Sequence, residues 1–316
     1  MNILVVRLGA MGDVIHALPA VAALGRIPGS RVWWAVDPRW TPLLDGNPTI
    51  DRIVTFDRRN WASVRDCWRL LRRERFDVAV DLQGLIKSAV LARAAGPGTV
   101  VGFHPSQARE RFAARLYSEK VLTRSAHVVD RYLELSVAAG ADDARPAFWL
   151  PPGHPEGDLP DPPFVLACPL AGWRAKQWPL EYYSELAGQV AREGYALVVN
   201  GPERSRAELE RIAGAVVHTS GIPGLIHATR CAAAVVGVDS GPLHLAAALR
   251  RPGIALFGPT HPDRNGPYGG TMSVLRDPGA ATTYRRTAEI APSMRAIHAA
   301  AVSAALFARL RAGASR

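Results

Sequence analysis

Apolar positions along this chain come in short unbroken runs. Each run is followed by a longer segment whose apolar residues recur every three or four positions. Residues 2–8 (NILVVRL) read as a buried strand, Gly9, Gly12 and Asp13 as a turn, and residues 14–24 as an apolar helix. The alternation continues with strands at 31–36, 50–56, 76–82 and 99–103 and helices at 40–44, 61–75, 87–95 and 128–139. Pro151, Pro152, Pro155, Pro160, Pro162 and Pro163 then form a stiff, turn-rich stretch. Beyond it the pattern restarts, with strands at 164–168, 195–200, 216–218, 232–238, 253–257 and 272–275. Helices are expected at 179–193 and 203–213, in a small segment ending at 230, and at 243–249 and 292–311. Apolar strands alternating with helices imply parallel sheets covered on both faces. The expectation is an α/β chain with two domains, residues 1–152 and 153–316, whose terminal helix packs back toward the first.

One stretch carries more chemistry than the rest. In AAAVVGVDSGPLHLAAAL, residues 232–249, a buried strand runs into a buried helix through Asp239, Ser240, Gly241 and Pro242. Asp or Ser suits a helix N-cap, and Pro suits the first turn, where no N–H is needed. The helix then points free N–H groups out of the sheet's carboxyl edge, where anions bind and where open α/β sheets take ligands. An ordinary capped turn is the alternative. Asp13 likewise reads either as a capping carboxylate or as a carboxylate exposed at the sheet edge. The spacing around it, GAMGD, does not match a dinucleotide fingerprint. Arg58 and Arg59 follow a strand and are placed to meet an anion; the basic face of the 61–75 helix reads as solvated. A further basic cluster comprises Arg109, Arg111, Arg115, Lys120 and Arg124. Two Rossmann-like domains facing across a cleft would bring the sheet-edge loops of both halves together.

Composition narrows the class. Formal net charge is +10 and 48% of the 316 residues are hydrophobic, which favours a large core and an anionic partner. The basic residues do not interleave with aromatics as in a nucleic-acid module. Three widely spaced cysteines form no C-x-x-C pair and suggest a reducing compartment, and the nine histidines show no zinc spacing. The first 25 residues are apolar enough to resemble a signal peptide, but Arg7 and Asp13 interrupt them. A protein of the cytoplasm that touches a membrane surface is expected.

Four motifs in order resemble one family: MGDVIHALPA at 11–20, KQWP at 176–179, VDSGPLHLAAAL at 238–249 and FGPT at 257–260. They are similar to the ADP-heptose:lipopolysaccharide heptosyltransferases, glycosyltransferase family 9, of GT-B fold. DLQGLIKSA at 81–89 and the paired arginines resemble heptosyltransferase I most. The resemblance implies inverting transfer of heptose from ADP-L-glycero-D-manno-heptose, a substrate and not a cofactor, to the Kdo of Kdo-lipid A, without a metal. Asp13 would be the general base. Lys176, Glu203, Asp239, Ser240, Gly241 and Thr260 would bind the donor, with Glu203 on the ribose and Lys176 on the diphosphate. Arg58, Arg59 and Arg109 would bind the acceptor. His244 reads as a packing residue. The chain departs from the family at Ala171 and Gly172, where Ser or Thr is usual, and Trp173 and Arg174 are unexpected. The other readings are heptosyltransferase II, a relative with another acceptor, and a non-catalytic binder of nucleotide-sugar or nucleic acid.

Overall fold

The computed structural model describes residues 1–161, 163–283 and 285–314; Pro162 of the proline-rich stretch lies outside them. The chain forms two compact units, divided between Pro151 and Pro152.

In the first unit, strands β1 (Asn2–Val6), β2 (Arg31–Val36), β3 (Arg52–Thr55), β4 (Val78–Asp81), β5 (Thr99–Phe103) and β6 (Glu119–Val121) make one sheet of order β3-β2-β1-β4-β5-β6. Every pairing is parallel. Both faces are covered, which is why the central strands read as continuous apolar runs. Helix α1 (Met11–Gly25) is apolar almost all round because it is packed against the sheet on one side and α4 (Val128–Ala138) on the other. Helix α2 (Trp61–Arg73) is strongly amphipathic; the Asn60 side chain caps it, and Cys67 and Leu71 face inward. It shares one buried cluster with α3 (Ile86–Ala94), a 3-10 helix at Arg111–Leu116, and Leu4 and Val6 of the sheet.

The second unit repeats the plan. Its strands are β7 (Phe164–Cys168), β8 (Ala196–Gly201), β9 (Val216–Thr219), β10 (Ala234–Val238), β11 (Gly253–Phe257) and β12 (Met272–Arg276), in the order β12-β11-β10-β7-β8-β9. Its helices are α5 (Leu180–Arg192), α6 (Arg206–Leu209), α7 (Ile222–Cys231), α8 (Gly241–Ala248), α9 (Pro262–Asn265), α10 (Pro292–Arg295) and α11 (Ala299–Ala314). Helix α11 packs on α5, β11 and β12 of its own unit.

Counted within each unit, both sheets have strand order 3-2-1-4-5-6. In such a sheet the chain's direction of travel reverses between the first and fourth strands, and the crevice at their carboxyl ends takes ligands. That switch point lies between β1 and β4 in the first unit and between β7 and β10 in the second. The loops leaving those four strands carry Asp13, Gln83, Lys176 and Asp239.

Several expectations need correction. Helix α1 starts at Met11, so Gly12 and Asp13 belong to its first turn and only Gly9 makes the bend. Gly9 has φ +149°, and a Cβ there would lie 2.5 Å from Trp40 Nε1. The 203–213 helix is a 3-10 turn followed by the single turn α6, and the 292–311 helix is two helices, α10 and α11. The 40–44 segment is a 3-10 helix at Pro38–Leu43. Part of the basic cluster after Arg109 forms the edge strand β6.

Candidate active site

In the first unit a buried arginine positions the candidate base. Arg7, at the end of β1, is 2% exposed, and its Nη2 lies 2.7 Å from Asp13 Oδ2. Arg7 Nη1 donates to Leu82 O at 3.0 Å, and its guanidinium sits 5.5 Å from the Tyr132 ring centre. Burial works against the Arg7 charge, but Asp13 outweighs it and raises the pKa above the ordinary arginine value. The Ala10 N–H donates to the same Asp13 oxygen at 3.1 Å, so Asp13 is the third helical residue of a capping arrangement whose N-cap is Ala10. Both sequence readings of Asp13 therefore hold: it secures the helix start, and at 35% side-chain exposure it also faces solvent. Nothing in a lone Arg interrupting an apolar run signals that it is the partner of a carboxylate six residues on.

Against the Gly9–Ala10 bend, whose Ala10 N–H binds Asp13, lies a cavity of about 220 Å³ lined by Leu8, Gly9, Ala10, Asp37, Arg39, Trp40, Phe56, Arg58, Gln83 and Lys87. Gln83 is fixed there, its Oε1 accepting from the Leu8 N–H at 2.8 Å. The loop that carries Gln83 is built on Asp81, which is fully buried. Asp81 accepts from Tyr117 Oη (2.6 Å), Ser88 Oγ (2.9 Å) and the Gln83 and Gly84 N–H groups (2.8 and 3.3 Å). Burial pushes its pKa up against the lowering influence of these four donors. Lys87, on α3, is pulled below the ordinary lysine value by partial burial, then by the charges of Arg58 and Arg109. Arg58, Arg109 and Lys87 thus share one field. Arg59 stands beside Asp37, whose carboxylate it helps keep ionised after Arg39 does so directly. Lys87 is the member of this basic group that sequence spacing did not single out.

In the second unit Asp239 is the centre of a buried polar cluster. Its Oδ2 lies 2.5 Å from Lys176 Nζ and accepts from Thr260 Oγ1 at 2.7 Å, and its Oδ1 lies 3.5 Å from His244 Nε2. Burial opposes ionisation, but His244 and then Lys176 hold the carboxyl well below the usual range. The structure brings Lys176, Asp239 and Thr260 together. Asp239 here fixes the loop, and His244 is part of the same cluster rather than a packing residue alone. Ser240 stands at the N-cap of α8, yet no side chain caps the helix, and Ser240 Oγ is buried without a hydrogen bond. Pro242 has no N–H and Leu243 N–H donates to Ser240 O at 3.1 Å, so in the first turn of α8 the Gly241 N–H is the donor left for an external acceptor.

The segment before Lys176 is held by Trp178, which is fully buried and donates to Ile297 O at 2.7 Å. Gly172 is exposed, and a Cβ there would meet nothing within 4 Å. Trp173 finds a role: Lys176 Nζ lies 4.3 Å, and the Arg286 guanidinium 4.8 Å, from its ring centre. Arg286 belongs to a loop anchored on the Gly258–Thr260 turn through the Thr283 N–H to Pro259 O, at 2.7 Å. Glu203 sits after β8 and is exposed, but Arg206 binds both its oxygens (2.7 and 2.9 Å) and Thr219 also donates to it. Arg206, followed by Thr219, lowers its pKa to about 2. Any ribose contact must share Glu203 with these two partners. Among the described residues no group of three or more His, Cys, Asp or Glu is arranged to hold a metal ion, and no helix is long and apolar enough to cross a membrane.

Comparison with known proteins matches residues 64–292 to glycosyltransferase family 9 (heptosyltransferase). The chain is 32% identical over 295 residues to lipopolysaccharide heptosyltransferase 1 of Pseudomonas aeruginosa, covering 85% of this chain and 82% of that one. Among solved structures it resembles E. coli heptosyltransferase WaaC with ADP-2-deoxy-2-fluoro heptose, at TM-score 0.76 and 27% identity, covering 96% of this chain and 98% of that one. It also resembles E. coli ADP-heptose lipopolysaccharide heptosyltransferase II, at TM-score 0.81 and 25% identity, covering 99% of this chain and all of that one. The paired six-stranded parallel sheets are those of the GT-B heptosyltransferase structures.

Proposed function

Because the chain belongs to glycosyltransferase family 9, the heptosyltransferases, we propose that it transfers heptose with inversion from ADP-L-glycero-D-manno-heptose to the Kdo of the lipopolysaccharide inner core, as heptosyltransferase I. The observation that carries the choice of acceptor is the 30–32% identity to heptosyltransferase 1 of Pseudomonas aeruginosa and E. coli, against 28% to heptosyltransferase 2 of E. coli. The higher TM-score of the heptosyltransferase II structure reports a fold common to the whole family.

Each half of the site has a task. The acceptor hydroxyl is a poor nucleophile until its proton begins to leave in the transition state. Asp13 Oδ2 is occupied by Arg7 and Ala10, so Oδ1 takes that proton. The hydroxyl oxygen bonds to the anomeric carbon as the bond to the diphosphate breaks, and ADP departs with the electron pair. Lys176 and the free Gly241 N–H at the start of α8, beside Ser240, meet the charge developing on the leaving group. Asp239 and Thr260 hold Lys176 in place, and Glu203 takes the ribose. Arg58, Arg59, Arg109 and Lys87 attract the anionic acceptor. With charge met in this way, transfer runs without a divalent metal. Since the acceptor is a glycolipid, we place the reaction at the cytoplasmic face of the inner membrane.

The test is an assay with ADP-heptose and Kdo-lipid A in the presence of EDTA, following ADP release and product mass. Addition of one heptose per acceptor is expected. Saturable ADP binding without turnover on Kdo-lipid A, but with turnover on an acceptor that already carries one heptose, would instead assign heptosyltransferase II.

A further inference from the structure

Helices α2 and α3 and the 3-10 helix at Arg111–Leu116 lie side by side on one face of the first unit's sheet, sharing a buried cluster beneath them. Their outward side is unusual in two respects. Four of the nine large apolar side chains exposed among the described residues project from it: Trp61 (85%), Phe112 (48%), Ile86 (44%) and Val90 (40%). The same three helices carry eight Lys or Arg residues and one acidic residue, Asp66. A merely solvated basic face does not account for an almost fully exposed tryptophan. Arg111 and Arg115 place their guanidiniums 4.9 and 4.7 Å from the Phe112 ring centre, joining aromatic and cationic groups in one patch. The patch borders a groove of about 560 Å³, which His104, Ser106 and Lys120 also line. Apolar side chains set among cations are the composition of a surface that lies in a lipid headgroup layer. Helix α3 belongs to this layer and also supplies Lys87 to the cavity against the Gly9–Ala10 bend.

We propose that this helical layer is the docking surface for an anionic lipid bilayer. Trp61 and Phe112 enter the headgroup region, and Arg111 and Arg115 pair with lipid phosphates. The proposal rests on the reading of the acceptor as a membrane glycolipid, and it names the face that meets the membrane. A glycolipid in that bilayer then lies against the same helix that walls the acceptor cavity.

Co-sedimentation with vesicles tests this with neither donor nor acceptor present, so its outcome is independent of whether the transfer reaction is assigned correctly. The full chain is expected to pellet with phosphatidylcholine vesicles containing one-third phosphatidylglycerol and to stay in solution with phosphatidylcholine alone. The double variants Trp61→Ser/Phe112→Ser and Arg111→Gln/Arg115→Gln are each expected to weaken partitioning by on the order of tenfold. Transfer to a de-acylated, soluble acceptor should be unchanged in both, while transfer to vesicle-embedded acceptor falls. Wild-type protein that stays in solution, or variants that partition as wild type does, would overturn the proposal. So would loss confined to the arginine pair together with full competition by soluble heparin, which would make the patch a general polyanion site. Failure of the functional reading would look different: no transfer to soluble acceptor, with vesicle binding intact.

Discussion

Two substitutions of Asp13 should separate catalysis from folding. Arg7 is 2% exposed, and Asp13 is its carboxylate partner at 2.7 Å. Asp13→Ala removes the proton acceptor and also strands that buried cation. Removing one member of a buried pair costs about 3–5 kcal/mol. Asp13 is itself 35% exposed, so water reaching the vacated position screens part of the loss and brings it below that range, to about 2–3 kcal/mol. At roughly 2–4 °C per kcal/mol for a domain of this size, the first unit should melt about 5–10 °C lower. Asp13→Asn keeps an oxygen toward Arg7 and the Ala10 N–H, so it should melt closer to wild type. An amide cannot take the hydroxyl's proton, and transfer should fall by about two to four orders of magnitude. The assays are calorimetric melting, ADP release with product mass, and ADP titration, which should be unchanged in both because the donor groups lie in the second unit. If Asp13→Asn turns over within tenfold of wild type, the base has been misassigned. If Asp13→Ala melts with wild type, Arg7 does not depend on Asp13 for its stability.

Three further outcomes are expected. Asp239 is held below the ordinary carboxylate range when folded, so its contribution is complete above about pH 4 and is lost as pH falls through the lower folded value. The melting-temperature gap between wild type and Asp239→Asn should therefore be constant near neutrality and shrink in acid; a gap that is the same at pH 3 as at pH 6 would refute this. Gly172→Ser places a hydroxyl in open space and should tighten ADP binding by up to about tenfold, the worth of one hydrogen bond to a charged group; unchanged or weaker affinity in titration would remove that loop from the phosphate. Arg286→Ala should weaken ADP severalfold and leave AMP unaffected, since its ring partner Trp173 is shared with Lys176. Equal losses for AMP and ADP would show that Arg286 acts only through the fold.

Much of the architecture was legible because parallel strands buried on both faces leave unbroken apolar runs. Strand β6 was not: its sequence, EKV, is short, half polar and at the sheet edge, where burial imposes no pattern. The helix expected from Glu203 stopped at Leu209, since Pro202 and the Glu203–Arg206 pair favour a tight turn first. Strand order left no trace in the letters, yet it is what brings Gln83 beside Leu8 and Asp239 beside Lys176. Lys176, Asp239 and Thr260 stood out through their motifs. Arg7, Lys87, His244 and Arg286 did not, because each acts through a contact that only the tertiary fold supplies.

The contact between Lys176 and Asp239 bears on how such an enzyme would recycle. A lysine that already has a resident counter-ion exchanges one anionic partner for another when a diphosphate arrives. On departure of ADP, the ammonium returns to Asp239 and is not left bare in a half-buried position. Part of the attraction between lysine and phosphate is thereby spent on displacing the carboxylate, which weakens the hold on spent nucleotide as much as on fresh donor. Removing Asp239 would give a tighter nucleotide complex that empties more slowly. On the proposed donor role of Lys176, the carboxylate that looks like a scaffold for the lysine would thus also set the rate at which the second unit is cleared for the next sugar.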